Sequence, residues 1–145
     1  MWAFIADTIL PLIGTFLVGA AGWFITHFLA GPILRFYRLR DRIWEELVFT
    51  ANVRNSTHDE SRYNKAADDL RRLAAELDAI RLSAPWPVRT FLSYRKYDLG
   101  GAFQGLIGFA NTLADRKGER AANRFDIEKA LKFPMTYDKR PVPRD

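Results

Sequence analysis

"VGAAGWFITHFLAGPILRFYRLRDRIW", from Val18 to Trp44, is apolar as far as Leu34 and then carries four arginines within eight residues. Extended toward the N-terminus, the uncharged run covers the 27 residues from Thr8 to Leu34. About 20 predominantly apolar residues cross the hydrocarbon core of a bilayer, so the run has the length of a transmembrane helix. Only Asp7 among the 17 acidic residues, and none of the 22 basic ones, precedes Arg35. The chain beyond Leu34 is therefore a basic, water-compatible domain. The expected fold class is all-α: one N-terminal transmembrane helix followed by a small cytoplasmic helical bundle. Residues 1–34 form the anchor, 35–133 the helical domain and 134–145 a basic, proline-containing tail.

A secretory signal needs a basic start, a shorter apolar stretch of about 7–15 residues and a small-residue cleavage site. "MWAFIAD" has no lysine or arginine, and the apolar run is nearly twice that length. "VGA" at 18–20 is the one match to a cleavage site, and a permanent anchor is the better reading. Positive flanks stay cytoplasmic, so Arg35, Arg38, Arg40 and Arg42 set the N-terminus outside and the C-terminal domain inside, with lipid headgroups as their neighbours. Trp2 and Phe4 on one side, and Phe36, Tyr37 and Trp44 on the other, are candidate interfacial aromatics. The absence of cysteine excludes disulfides, thiolate catalysis and thiolate metal sites.

At 100° per residue, Thr8, Thr15, Gly19, Gly22, Thr26 and Ala30 share one side of the span. Small side chains let membrane helices approach closely, so Thr15, Gly19, Gly22, Thr26 and Ala30 are the expected contact face with a second copy of the chain. The threonine hydroxyls bond either a neighbour or their own preceding carbonyls. His27 lacks a charged partner in the span and is expected near the cytoplasmic interface rather than in a proton relay. Gly31-Pro32 is expected to kink or end the helix just beyond it.

From about 33 to 53, Phe36, Leu39, Ile43 and Leu47 recur at helical spacing opposite Arg38, Asp41, Arg42, Glu45 and Glu46. "NVRNST" at 52–57 interrupts the pattern, and Thr57 with Glu60 reads as a capping box, with Asp59 in the first turn. In a helix over about 58–82, Tyr63, Ala66, Leu70, Leu73, Leu77 and Ile80 form a heptad seam. That seam serves either an antiparallel hairpin with the preceding helix or a coiled coil between copies.

"SAPWPVRTFLSYRKYD" at 83–98 opens with a proline break, and Pro87 suits the first position of a helix. Val88, Phe91, Leu92, Tyr94 and Tyr97 alternate there with Arg89, Arg95 and Lys96. Such a helix packs its aromatics into the bundle, the favoured reading, or lies on an anionic membrane or nucleic acid. "LGGAFQGLIGFANTLA" at 99–114 is uncharged but short for a span, and reads as a buried helix capped by Asp98. Gly101, Gly105 and Gly108 would allow close packing; a re-entrant segment is the alternative. The helix over about 87–114 thus has a break near 98. A turn at 115–119 leads to a last helix over about 119–133, with Phe125, Ile127, Ala130, Leu131 and Phe133 apolar, and then to an ordered hook and tail.

No chemistry is legible. His58 falls within the capping box. Arg54 and His58 are spaced R-x3-H, whereas HEPN ribonucleases carry R-x4–6-H, so the spacing supports no RNA cleavage site. "GGAFQG" lacks the lysine and hydroxyl residue of a phosphate-binding loop. Asp68-Asp69 and Glu45-Glu46 lie on charged helix faces, and "DIEK" at 126–129 lacks nuclease spacing. The chain is expected not to be an enzyme, with no catalytic residue, metal, cofactor or small-molecule substrate, and no nucleic-acid partner.

In layout, and in the phrase "LRDRIWEELVFTANV", the chain resembles short bacterial single-span membrane proteins with no assigned function. The resemblance implies the bacterial inner membrane and carries no site residues. The expected function is an oligomerising scaffold, or a module that binds a protein partner in the cytoplasm. The alternative is a membrane-permeabilising effector, a phage-defence or holin-like toxin whose oligomerised spans form a pore.

Overall fold

The structure is a computed structural model that describes residues 10–51, 60–113 and 117–141. All its regular elements are helical: α1 (Leu10–Ile25), a π turn (Thr26–Ala30), α2 (Gly31–Ala51), α3 (Glu60–Ser83), α4 (Trp86–Tyr94), α5 (Leu99–Asn111) and α6 (Lys117–Leu131). The capping-box residues Thr57 and Asp59, together with Arg54, His58, Trp2, Phe4 and Thr8, lie outside the described residues.

Of the two outcomes expected at Gly31-Pro32, a kink or an end, the structure excludes the end. α1, the π turn and α2 form one rod over Pro11–Ala51. A proline ring inside an α-helix clashes with the carbonyl four residues back and leaves one bond unmade. Here the turn before Pro32 is widened: the Gly31 N–H reaches five residues back, to the carbonyl of Thr26. The π turn makes room for the ring without stopping the helix.

Four helices close a bundle. α2 turns Phe36, Leu39, Ile43 and Leu47 inward, and α3 turns in Ala66, Leu70, Leu73, Ala74, Leu77 and Ile80. The spacing of three and four residues places each set on one helical face. Direction follows from cross-helix pairs. Arg42 of α2 pairs with Glu76 of α3 at 2.9 Å, while Phe49 shares a cleft with Arg62 and Lys65. Arg71 of α3 bonds Asn111, whereas Arg81 approaches Gly100. α6 returns along α2, since Arg120 bonds the Thr50 carbonyl and Arg40 that of Leu131. Each neighbour is therefore antiparallel, an up-down-up-down bundle.

α5 is the central helix. The Asp98 carboxylate accepts the Gly101 N–H at 2.8 Å, the N-cap read from sequence. A Cβ added at Gly105 would sit 2.8 Å from Ile127 Cγ1, and one at Gly108 would meet the Asn123 side chain. Both glycines thus permit the close crossing of α5 and α6. Leu99, Ala102, Leu106, Phe109 and Ala110 are buried, which makes 99–111 core rather than a second membrane segment.

Two helix ends use lysine where glycine is usual. Lys96 and Lys132 have φ of 57° and 55°. In each case the next residue closes a six-residue loop, Tyr97 N–H to Leu92 O at 3.0 Å and Phe133 N–H to Glu128 O at 2.9 Å. These are Schellman ends, and they turn the chain back toward the core. The hook beyond α6 is held by Glu128, which is fully buried. Its carboxylate accepts Arg124 Nε at 2.8 Å, the Thr136 N–H at 2.7 Å and the Thr136 hydroxyl at 2.5 Å.

Candidate functional site

The feature that the bundle does not explain is the N-terminal half of the rod. From Pro11 to Phe28 every residue is exposed. Leu12, Ile13, Phe16, Leu17, Val18, Trp23, Phe24, Ile25 and Phe28 are 40–74% exposed. Removing one such side chain from water is worth about 1.5–3 kcal/mol. Together they exceed roughly 10 kcal/mol, as much as the net stability of a typical domain. The helix is long and apolar enough to cross a membrane by length and composition, with a mean hydropathy of 1.7 in its apolar window and none of that window buried. The large side chains point in every direction except one, which a helix needs when lipid surrounds it.

The exception is the small-residue sector. A Cβ added at Gly19 or Gly22 would meet nothing within 4 Å apart from the glycine's chain neighbours and its own helix backbone, so the sector is open. Its hydroxyls are used within the helix: Thr15 donates to the Pro11 carbonyl at 2.9 Å and Thr26 to that of Gly22 at 2.8 Å. They therefore offer a partner methyl groups and a shared acceptor rather than a spare donor. Ala30 leaves the open face, because it is partly covered where the bundle begins. His27 lies 3.0 Å through Nδ1 from the Trp23 carbonyl and stacks on that indole at 4.7 Å between centroids. Both contacts stay within its own helix.

The arginines divide. Arg35 and Arg38 are exposed just after the apolar run. Arg40 does not belong with them. Its side chain turns into the bundle, bonding the Leu131 and Lys132 carbonyls at 2.9 and 3.0 Å and lying 4.6 Å from the centre of the Phe133 ring. Arg42 is paired with Glu76. The expected interfacial aromatics are corrected likewise: Phe36 is fully buried, Tyr37 packs near Phe36 and Tyr97, and Trp44 packs on Phe133 at 4.9 Å.

The heptad seam is used inside the chain. Ala66, Leu70, Leu73, Leu77 and Ile80 are buried and Tyr63 is half-buried against the same core, leaving no free seam for a coiled coil between copies. The segment 83–98 splits: Val88 and Leu92 are buried and Phe91 and Tyr97 pack on the core, while Trp86 and Tyr94 are 74% and 84% exposed. Pro87 takes the second helical position, because Pro85 is the N-cap residue.

One cleft of about 450 Å³ lies between α2 and α3, lined by Glu46, Phe49, Arg62, Lys65, Ala66 and Asp69. Burial raises the pKa of Glu46, Asp69 adds to the rise, and Lys65 opposes it. Nothing in the spacing of Glu45-Glu46 distinguished the two; Glu46 faces α3 and Glu45 faces water. Glu128 was likewise hidden in "DIEK", and its use only appears once the hook folds over it. Among the described residues no group of three or more histidine, cysteine, aspartate or glutamate side chains is placed to hold a metal.

No family model, no curated protein and no solved structure matches this chain.

Proposed function

We propose that this chain is a single-pass protein of the bacterial inner membrane, N-terminus outside and bundle in the cytoplasm. It acts as an oligomerising scaffold that presents the bundle to a protein partner. The observation that carries this reading is the exposed apolar segment 11–28, which passes without interruption into the buried core of the bundle. A helix that enters the core at Phe36 holds the bundle at a fixed distance from the membrane, as a tether of flexible loop would not. A second copy is the natural partner for the open Thr15, Gly19 and Gly22 sector, where backbones can approach.

The test keeps the full chain, because Ile33 packs on the core and cutting the span away at 34 would disturb the bundle. Copies carrying donor and acceptor dyes on the bundle are reconstituted at low protein-to-lipid ratio. Energy transfer should fall to the level of random mixing in Gly19→Leu/Gly22→Leu and stay unchanged in Leu17→Ile, on the opposite side of the helix. Equal transfer in all three chains removes the small-residue sector from the reading.

The permeabilising alternative rests on the same sector, and it loses the help of 99–114. The buried part of that segment is the centre of the bundle. Dye leakage from the same vesicles separates pore from scaffold.

A further inference from the structure

We propose that α4 is an interfacial helix, which lays the end of the bundle on an anionic phospholipid headgroup layer through Trp86 and Tyr94. The inference rests on the anchor reading of 11–28. It adds to that reading a second, independent contact between the protein and the membrane.

The position of α4 follows from the topology. α3 runs toward the span, α5 runs away from it, and α4 is the crosspiece between them. α4 is also the helix that packs beside the π turn at Thr26–Ala30, while the segment just after it is pinned lower, Tyr97 on Phe36 at 5.0 Å. Depth follows from length. A helix rises 1.5 Å per residue, so Leu10 to Ala30 covers about 30 Å, the thickness of the hydrocarbon core. The level of the π turn is then the cytoplasmic edge of the bilayer, and α4 lies at that edge.

The chemistry of its outer face matches that place. Trp86, Thr90 and Tyr94 are four residues apart and form one stripe, opposite the buried Val88 and Leu92. Tryptophan and tyrosine 74% and 84% exposed are poorly placed in water and well placed among headgroups, where an apolar ring and a polar edge are both satisfied. Arg89, Arg95 and Lys96 flank the stripe, all exposed and none in an ion pair among the described residues. Their charge favours anionic lipid.

The chain has no cysteine, so single reporters are simple to place. A nitroxide at Thr90→Cys reads the depth of α4 in vesicles of phosphatidylethanolamine and phosphatidylglycerol, against Phe16→Cys in the span and Ala75→Cys on the far side of α3. Thr90 is expected at phosphate depth, protected from a soluble nickel relaxant relative to Ala75. Adding Trp86→Ala/Tyr94→Ala should return it to the accessibility of Ala75. A label at Thr90 as accessible as Ala75 while Phe16 reads deep overturns the interfacial helix and leaves the anchor standing. This is also the result if α4 instead binds a protein or a second copy away from lipid. A label at Phe16 as accessible as Ala75 overturns the anchor itself. Equal protection of Thr90 in vesicles of phosphatidylcholine alone overturns the anionic assignment.

Discussion

Arg40 Nε donates to the carbonyl of Leu131, 91 residues away, at 2.9 Å. The same guanidinium takes the Lys132 carbonyl and covers the Phe133 ring. The last carbonyls of a helix have no partner within it, and a cation there also meets the negative end of the helix dipole. Arg40 thus closes α6 from the helix that continues the exposed apolar segment. A lysine can reach one carbonyl but lacks the planar fork. Arg40→Lys is expected to lower bundle stability by about 1–2 kcal/mol, since a hydrogen bond to a charged group is worth roughly 1.5–3 kcal/mol. Arg35→Lys, at an exposed position, should change it by less than about 0.5 kcal/mol. Thermal unfolding of the two variants in detergent micelles checks the contrast.

The hook depends on Glu128 in the same way that α6 depends on Arg40. Thr136 gives that buried carboxylate two donors, its N–H and its hydroxyl. Thr136→Val keeps the shape and the N–H but removes the hydroxyl, at an expected cost of about 1–2 kcal/mol. The loss is local. Trypsin should cut after Lys132 faster in the variant than in the parent, with the bundle otherwise intact by circular dichroism. Equal rates would show that the hook is held without the Thr136 hydroxyl.

Lys96 carries a positive φ of 57° without being glycine. The left-handed region costs an L-residue roughly 1–2 kcal/mol, and glycine occupies it freely at the expense of unfolded-state entropy. Lys96→Gly should therefore stabilise the bundle by up to about 1 kcal/mol. If Lys96 also contacts headgroups, the same variant should bind anionic vesicles more weakly. Stability and membrane contact then move in opposite directions in one protein, which vesicle flotation and thermal unfolding together would show.

The helices were legible because burial imposed a period on them. Phe36, Leu39, Ile43 and Leu47, and the seam of α3, announce their inner faces without knowledge of the partners. Asp98 and Gly105 were legible from local geometry, a cap and a close crossing. Three features were not. Pro32 reads as a kink or an end, because the rule for an α-helix holds no provision for a π turn that widens to receive the ring. Arg40 sits among three other arginines with the same local surroundings in sequence, and only the return of α6 separates it from them. The outward turn of Trp86 and Tyr94 depends on which face of α4 the bundle covers, and alternating aromatics and cations allow either.

Glu46 gives the fold a pH dependence whose sign can be worked out. Its pKa lies above the ordinary value of 4.5, chiefly through burial and then through Asp69. The folded state therefore holds the proton at pH values where the unfolded chain has lost it. Stability supplied by the protonated form is fully present below pH 4.5 and falls as pH rises through the folded pKa, so at neutral pH the charge is a cost. Glu46→Gln removes that cost. The variant should match the parent at acid pH and become the more stable of the two toward neutrality, by a modest amount because the carboxyl is partly solvated. Lys65 lowers the Glu46 pKa, so the gain should widen in a Lys65→Met background. Unfolding by urea at a series of pH values measures both gaps. A Gln variant that is less stable than the parent at neutral pH would mean that the Glu46 carboxylate is held by a favourable partner in the cleft.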